Sequence, residues 1–168
     1  IDAITGATAL DALRTGLRAD DATVPLVMQR DAFGLLAGRG WEWIGLGYLA
    51  GGLWLLARRI ITWHLPVAFL GTLTVISTLM WLLDPQQFAS PLFHLLSGGA
   101  LLAAFFIVTD PVSGSTTPRG KLIFAAGIAI IAYVIRNWGA FPEGIAFAVL
   151  LMNMCVPLID MKTQPPVF

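Results

Sequence analysis

Cysteine and charge are both scarce in this chain of 168 residues. The single cysteine, Cys155, excludes a disulfide within the chain, and a protein-bound iron–sulfur cluster needs several cysteines. Charged residues make up 12% of the sequence, about half the share in a typical soluble domain. The ten basic residues match the ten acidic ones and form no long run, which argues against nucleic-acid binding. No cluster of acids, metal ligands or nucleophile–base pairs stands out, so no catalytic residue or metal site is assigned.

Long apolar runs are abundant instead, and 57% of the residues are hydrophobic. Such runs between short polar stretches predict an all-α, polytopic helical bundle in a membrane. About five transmembrane helices are expected, over residues 41–57, 65–83, 92–109, 122–135 and 145–159. We therefore divide the chain into a polar segment 1–40, a transmembrane region 41–161 and a tail 162–168. Because it starts at Ile1 without an initiator methionine, we expect it to be the later part of a longer polypeptide.

The polar segment contains one amphipathic pattern. Ala7, Leu10, Leu13 and Leu17 recur at helical spacing, which predicts a short surface helix. Thr5 is the expected N-cap of this helix.

Four residues in the apolar runs carry simple structural expectations. Arg136 is expected to extend its charge to the membrane surface, and Asp160 to be solvated at an edge. Cys155 is expected to fill the core. Asn153 either hydrogen-bonds a neighbouring helix or lines a flavin or ion site.

Basic residues in the short loops predict the orientation. One side of the membrane would hold five of them and the other side only Arg136, and the positive-inside rule makes the first side cytoplasmic. The five are Arg58, Arg59, Arg119, Lys121 and Lys162. The C-terminus would then be cytoplasmic and the polar segment periplasmic. His64 and His94 would lie at opposite faces, each hydrogen-bonded at the interface.

The heptad DAITGAT, residues 2–8, resembles the motif at which a flavin transferase joins FMN to a threonine hydroxyl through a phosphoester. Thr8 would be the acceptor. Gly6 and Ala7 leave room for a transferase, and Asp2 and Thr5 offer polar groups for recognition. An ordinary helix cap with small residues behind it is the competing interpretation.

A second stretch provides an internal control. DPVSGST, residues 110–116, has the same skeleton but carries Ser115 where the heptad has alanine. The predicted orientation puts it on the cytoplasmic side, away from a transferase that works outside the membrane. We expect Thr8 to be modified and Thr116 to remain unmodified.

Three longer stretches extend the resemblance to the whole chain: RRIITWHLPVAFLG, TDPVSGSTTPRGKLIF and FPEGIAFAVLLMNMCVPLID. They resemble the C-terminal half of the D subunit of the Rnf electron-transport complex. The B subunit of the sodium-pumping NADH:quinone reductase is a more distant relative. The resemblance implies half of a ten-helix, two-repeat fold in the bacterial inner membrane, with covalent FMN on Thr8 facing the periplasm. It also implies a second, non-covalent flavin (riboflavin) at a site it does not assign.

The same resemblance implies partners and a reaction. The complex passes electrons between ferredoxin and NAD and moves Na⁺ or H⁺. Its other subunits include an FMN-bearing G subunit and the integral-membrane A and E subunits. Arg14, Arg18, Trp41 and Trp43 are candidate hydrogen-bond donors to the flavin through their proximity in sequence. The alternative function is a channel or transporter for a small solute with no redox cofactor, because helical architecture alone does not separate the two.

Overall fold

The computed structural model describes residues 8–19, 23–29, 33–34, 38 and 40–164. Apart from turns and one isolated β-bridge between Phe33 and Gly38, these residues are helical, so the predicted all-α fold is confirmed. The helices are α1 (Ala9–Ala19), α2 (Val24–Val27), α3 (Trp41–Ala57), α4 (His64–Leu83), α5 (Pro91–Leu96), α6 (Ala100–Leu102), α7 (Pro118–Trp138) and α8 (Ile145–Thr163). A π-helical turn, Ala103–Ile107, continues α6.

Four of the five predicted apolar runs are single helices with bounds close to the predicted ones. Within the described residues, three helices are long and apolar enough to cross a membrane, namely α4, α7 and α8. Helix α3 has 17 residues, slightly fewer than the roughly 20 that a bilayer core requires.

The prediction of one helix over residues 92–109 is wrong. Helix α5 ends at Leu96 and α6 begins at Ala100. Between them Gly98 has φ = 62°, a left-handed conformation that favours glycine because it has no Cβ atom. The third run is therefore a discontinuous helix, with the break at residues 97–99.

The core lies where α4 and α7 pack together with α8 and the π-helical turn. Its largest side chains include Phe69, Phe124 and Tyr133, all fully buried. The outer faces of α3 and α8 expose large apolar side chains, as expected for surfaces that face lipid or other apolar partners. Cys155 lies on this exposed side of α8, so the expectation that it fills the core is wrong.

Hydrogen bonds between loops define two polar ends of the bundle. At the α1 end, the Val24 N–H donates to the Gln86 carbonyl oxygen at 2.7 Å, and Arg18 donates to the Gly139 carbonyl oxygen at 3.1 Å. At the opposite end, Lys121 Nζ donates to Thr62 Oγ1 at 3.4 Å. This grouping of loops agrees with the predicted topology. Which end faces the periplasm stays a prediction.

A close approach between α3 and the π-helical turn gives a stability prediction. A methyl group at Gly52 would collide with the ring of Phe105, whereas nothing lies within 4 Å of a methyl group at Gly47 in the same helix. Overpacking costs about 1–3 kcal/mol, and alanine gains at most about 1 kcal/mol over glycine in a helix. We expect Gly52→Ala to lower the thermal unfolding midpoint in detergent and Gly47→Ala to leave it unchanged or raise it. Equal midpoints for the two variants would contradict the packing.

Candidate functional site

Thr8 forms the N-cap of α1. It is exposed, its carbonyl oxygen accepts the Ala12 N–H at 2.8 Å, and its Oγ1 accepts the Asp11 N–H at 3.3 Å. A carbonyl that accepts the first helical bond and a side-chain oxygen that accepts from the third residue of the helix define an N-cap. The expectation that Thr5 caps this helix is therefore wrong, because α1 starts at Ala9.

The remaining residues of the heptad lie outside the described residues. They are Asp2, Thr5, Gly6 and Ala7. Their assignment to the attachment motif stays a prediction.

Helix α1 packs against the bundle through its apolar face, so the predicted amphipathic helix is confirmed. Leu10 and Leu13 are buried in a cluster that includes Phe93 of α5. The Leu10 side chain also lies directly against Gly98, where a Cβ atom would collide with it. The residue that follows Thr8 by two positions thus contacts the break in the third apolar run.

A small pocket of about 50 Å³ lies between α1 and the end of α7. Its polar wall consists of Arg14, Arg18, His94, Arg136 and Asn137, and three leucines of α1 complete the lining. No carboxylate belongs to this lining among the described residues, so the wall is positively charged. The volume is enough for a few water molecules.

His94 is not at an interface, contrary to the sequence prediction. Its side chain is 2% exposed, and both ring nitrogens lack a hydrogen-bond partner among the described residues. Its ring lies 5.1 Å from the ring of Tyr133, centroid to centroid, and the Tyr133 hydroxyl likewise has no partner there. His64 lies at the opposite end and stacks on Trp63, so the predicted separation of the two histidines is confirmed.

A buried ion pair spans the break in the third run. Arg136 Nε and Nη2 donate to Glu143 Oε1 at 3.1 and 3.0 Å, and Nη1 donates to the His94 carbonyl oxygen at 2.9 Å. Glu143 Oε2 accepts the Gly99 N–H at 3.0 Å. The Arg136 side chain is 1% exposed and that of Glu143 35%. The prediction that Arg136 extends to the membrane surface is wrong, and sequence reasoning missed Glu143 altogether.

The second motif, residues 110–116, lies at the opposite end and is held by Asp160. The Thr116 N–H and Oγ1 donate to Asp160 Oδ2 at 3.1 and 2.9 Å, and the Ser115 hydroxyl donates to Oδ1. Asp160 is thus engaged in loop contacts rather than only solvated. The Ser113 hydroxyl, which donates to Asp110 at 2.7 Å, holds the pKa of that carboxyl below its usual range. The hydroxyl of Thr8 contacts only its own helix, whereas that of Thr116 joins a loop to α8.

The comparison with known families matches residues 1–168 to the NQR2, RnfD, RnfE family. The chain belongs to this family. The resemblance read from the three long stretches is therefore confirmed, and it covers the whole chain.

Relatives in this family share one name, which makes each of them the D subunit of an ion-translocating oxidoreductase complex. The relative from Cronobacter sakazakii is 54% identical over 168 residues, which is all of this chain and 48% of that protein. The relative from Vibrio vulnificus is 56% identical over 165 residues, 98% of this chain and 46% of that protein. The relative from Erwinia tasmaniensis is 49% identical over 168 residues, all of this chain and 48% of that protein. The chain thus spans about half the length of the curated relatives it matches.

Proposed function

We propose that this chain is the flavin-carrying part of a membrane subunit in an ion-translocating redox complex. The relatives' shared name supports the redox and ion-translocating role. In the proposed complex, electrons pass between ferredoxin and NAD, and their passage drives Na⁺ or H⁺ across the bacterial inner membrane. FMN joined to Thr8 would relay the electrons on the periplasmic side.

The position of Thr8 is the observation that carries the flavin proposal. The hydroxyl is exposed at the N-terminus of an 11-residue helix, where the N–H groups of the first turn favour a negatively charged phosphate. Oγ1 serves as an acceptor towards the Asp11 N–H, and an esterified oxygen keeps lone pairs for that role. The residues present therefore fit a phosphoester without loss of the helix cap.

Attachment needs a flavin transferase and an activated FMN donor. Thr8 Oγ1 would form the new bond to the FMN phosphorus, its proton would pass to a base or to water, and the donor's leaving group would depart with the bonding electrons. Asp2, Thr5, Gly6 and Ala7 would be the recognition residues.

When bound, the flavin supplies a one- or two-electron relay, and the protein sets its position and surroundings. Arg14 and Arg18 line the positively charged pocket one to three turns along α1 from Thr8, and positive charge favours a reduced, anionic ring. Trp43 is 78% exposed. The second flavin, riboflavin, and the G, A and E subunits belong to this proposal through family resemblance.

Peptide mass spectrometry tests the proposal directly. The tryptic peptide that ends at Arg14 should carry an added mass equal to an FMN phosphoester on Thr8. The peptide of residues 60–119, which contains Thr116, should be unmodified and serves as the internal control. An unmodified Thr8 in cells that contain the transferase would favour the transporter alternative, and modification of Thr116 would overturn the topology.

A further inference from the structure

The two half-helices of the broken third run present opposite dipole ends to one another. The C-terminal end of α5 offers carbonyl oxygens with partial negative charge, and the N-terminal end of α6 offers N–H groups with partial positive charge. Arg136 donates to the His94 carbonyl oxygen on the first side, and Glu143 accepts the Gly99 N–H on the second. Each charge therefore complements the dipole end that it touches.

The guanidinium of Arg136 fills a site built from oxygen atoms. Both carboxylate oxygens of Glu143 and the carbonyl oxygen of His94 lie 2.9–3.1 Å from its nitrogens. A carboxylate beside the free carbonyl end of a half-helix is the kind of oxygen set that holds small cations where membrane helices are broken. In this structure a tethered side-chain cation occupies that set.

Unpaired polar groups surround the site. The side chains of His94, Ser97 and Tyr133 are each at least 98% buried, yet their polar atoms find no hydrogen-bond partner among the described residues. Buried polar groups without protein partners need water or an ion. The pocket under α1, which His94 and Arg136 line, provides the space for such water.

We propose that Glu143 and the His94 carbonyl oxygen form a binding site for a small monovalent cation, and that Arg136 competes with the cation for it. With Arg136 in place the site is closed, because a buried positive charge repels an entering cation. Displacement of Arg136 opens the site to Na⁺ or H⁺. This inference rests on the proposed function in one respect, namely that the full complex moves a cation.

Helix α1 covers this site. Leu10 packs against Gly98, and a Cβ atom there would also meet Glu143 and lie 3.3 Å from Arg136 Nη2. The segment that bears Thr8 therefore rests on the closed state of the site.

The test uses the full complex in liposomes with Na⁺ or protons as the only probes. Without an electron donor, Arg136→Gln should raise the passive cation leak about tenfold, which corresponds to about 1.4 kcal/mol of barrier. Arg136→Lys keeps a competing charge without the forked geometry, so its leak should be intermediate. With an electron donor, Glu143→Gln should lower cation uptake by at least about tenfold, because it removes the charged ligand. Arg59→Gln, an exposed arginine at the opposite end, is the matched control and should change neither quantity.

Two results would overturn the proposed site: cation uptake by Glu143→Gln equal to wild type, or leaks of both Arg136 variants no greater than that of Arg59→Gln. If Arg136→Gln does not assemble, Arg136→Lys and Glu143→Gln decide between the outcomes. Failure of the proposed function looks different, because the wild-type complex would then show no donor-driven uptake. The donor-independent leak would still test the site.

Discussion

Replacing Thr8 with asparagine is expected to abolish the covalent flavin on this chain and leave α1 folded. Asparagine caps helices at least as well as threonine, so the bond to the Asp11 N–H has a replacement acceptor. It has no hydroxyl to esterify. Thr8→Ser keeps both the cap and the hydroxyl and should retain the flavin, whereas Thr8→Val loses both, including about 1 kcal/mol of cap stability.

Flavin fluorescence on a denaturing gel and the mass of the peptide that ends at Arg14 measure this result. Thr116→Val serves as the control and should leave the signal unchanged, since the Thr116 hydroxyl is bonded to Asp160 at the other end of the bundle. Fluorescence that survives in Thr8→Asn would show that the flavin is attached elsewhere. A loss in Thr8→Val but not in Thr8→Asn would mean that the cap, not the ester, holds the flavin.

The second large effect concerns stability at the break. Arg136→Gln leaves Glu143 without its counter-ion and weakens the contact to the His94 carbonyl oxygen. Removal of one partner of a buried pair costs about 3–5 kcal/mol, and Glu143 is 35% exposed, so we expect the lower end of that range. For a domain of this size the unfolding midpoint should fall by roughly 6–12 °C.

Glu143→Gln should cost less, because its amide oxygen still accepts from Arg136 and one end of the pair reaches solvent. The double variant Arg136→Gln/Glu143→Gln should be more stable than the sum of the single losses predicts, since no buried charge remains unpaired. Additive losses would show that the two side chains act independently. Thermal unfolding of the purified complex in detergent measures all three variants.

Continuous apolar runs made the main helices predictable from sequence. The predicted run 41–57 coincides with Trp41–Ala57, and 65–83 differs from His64–Leu83 by one residue. A long run that is apolar throughout has few alternatives to a helix in a membrane, because every backbone polar group must be satisfied internally. The predicted 122–135 was too short, because Pro118 at the first helical position and the Thr117 cap extend α7 beyond its apolar part.

The break and the ion pair were not predictable in the same way. Ser97, Gly98 and Gly99 lie within a run whose composition remains apolar on both sides, and hydrophobicity does not report φ angles. Glycine pairs inside a predicted helix are a usable warning of a break. The burial of Arg136 depends on Glu143 and on the carbonyl end of a different helix, and a pattern along one segment contains neither.

The candidate attachment residue was predicted from its motif, but its structural role was not. Thr5 and Thr8 both precede the first apolar position of α1, and either can cap a helix by residue type alone. Only the hydrogen bond from Asp11 assigns the cap to Thr8.

The short distance along α1 between Thr8 and Leu10 has an electrical consequence. Two helical residues span about 3 Å along the axis, and Leu10 touches the glycine of the break. Salt at physiological concentration screens charges over about 8 Å, and less effectively when protein lies between them. A phosphodiester on Thr8 would therefore act on Arg136 with little attenuation by dissolved ions, so that electron carrier and cation site would share one local field.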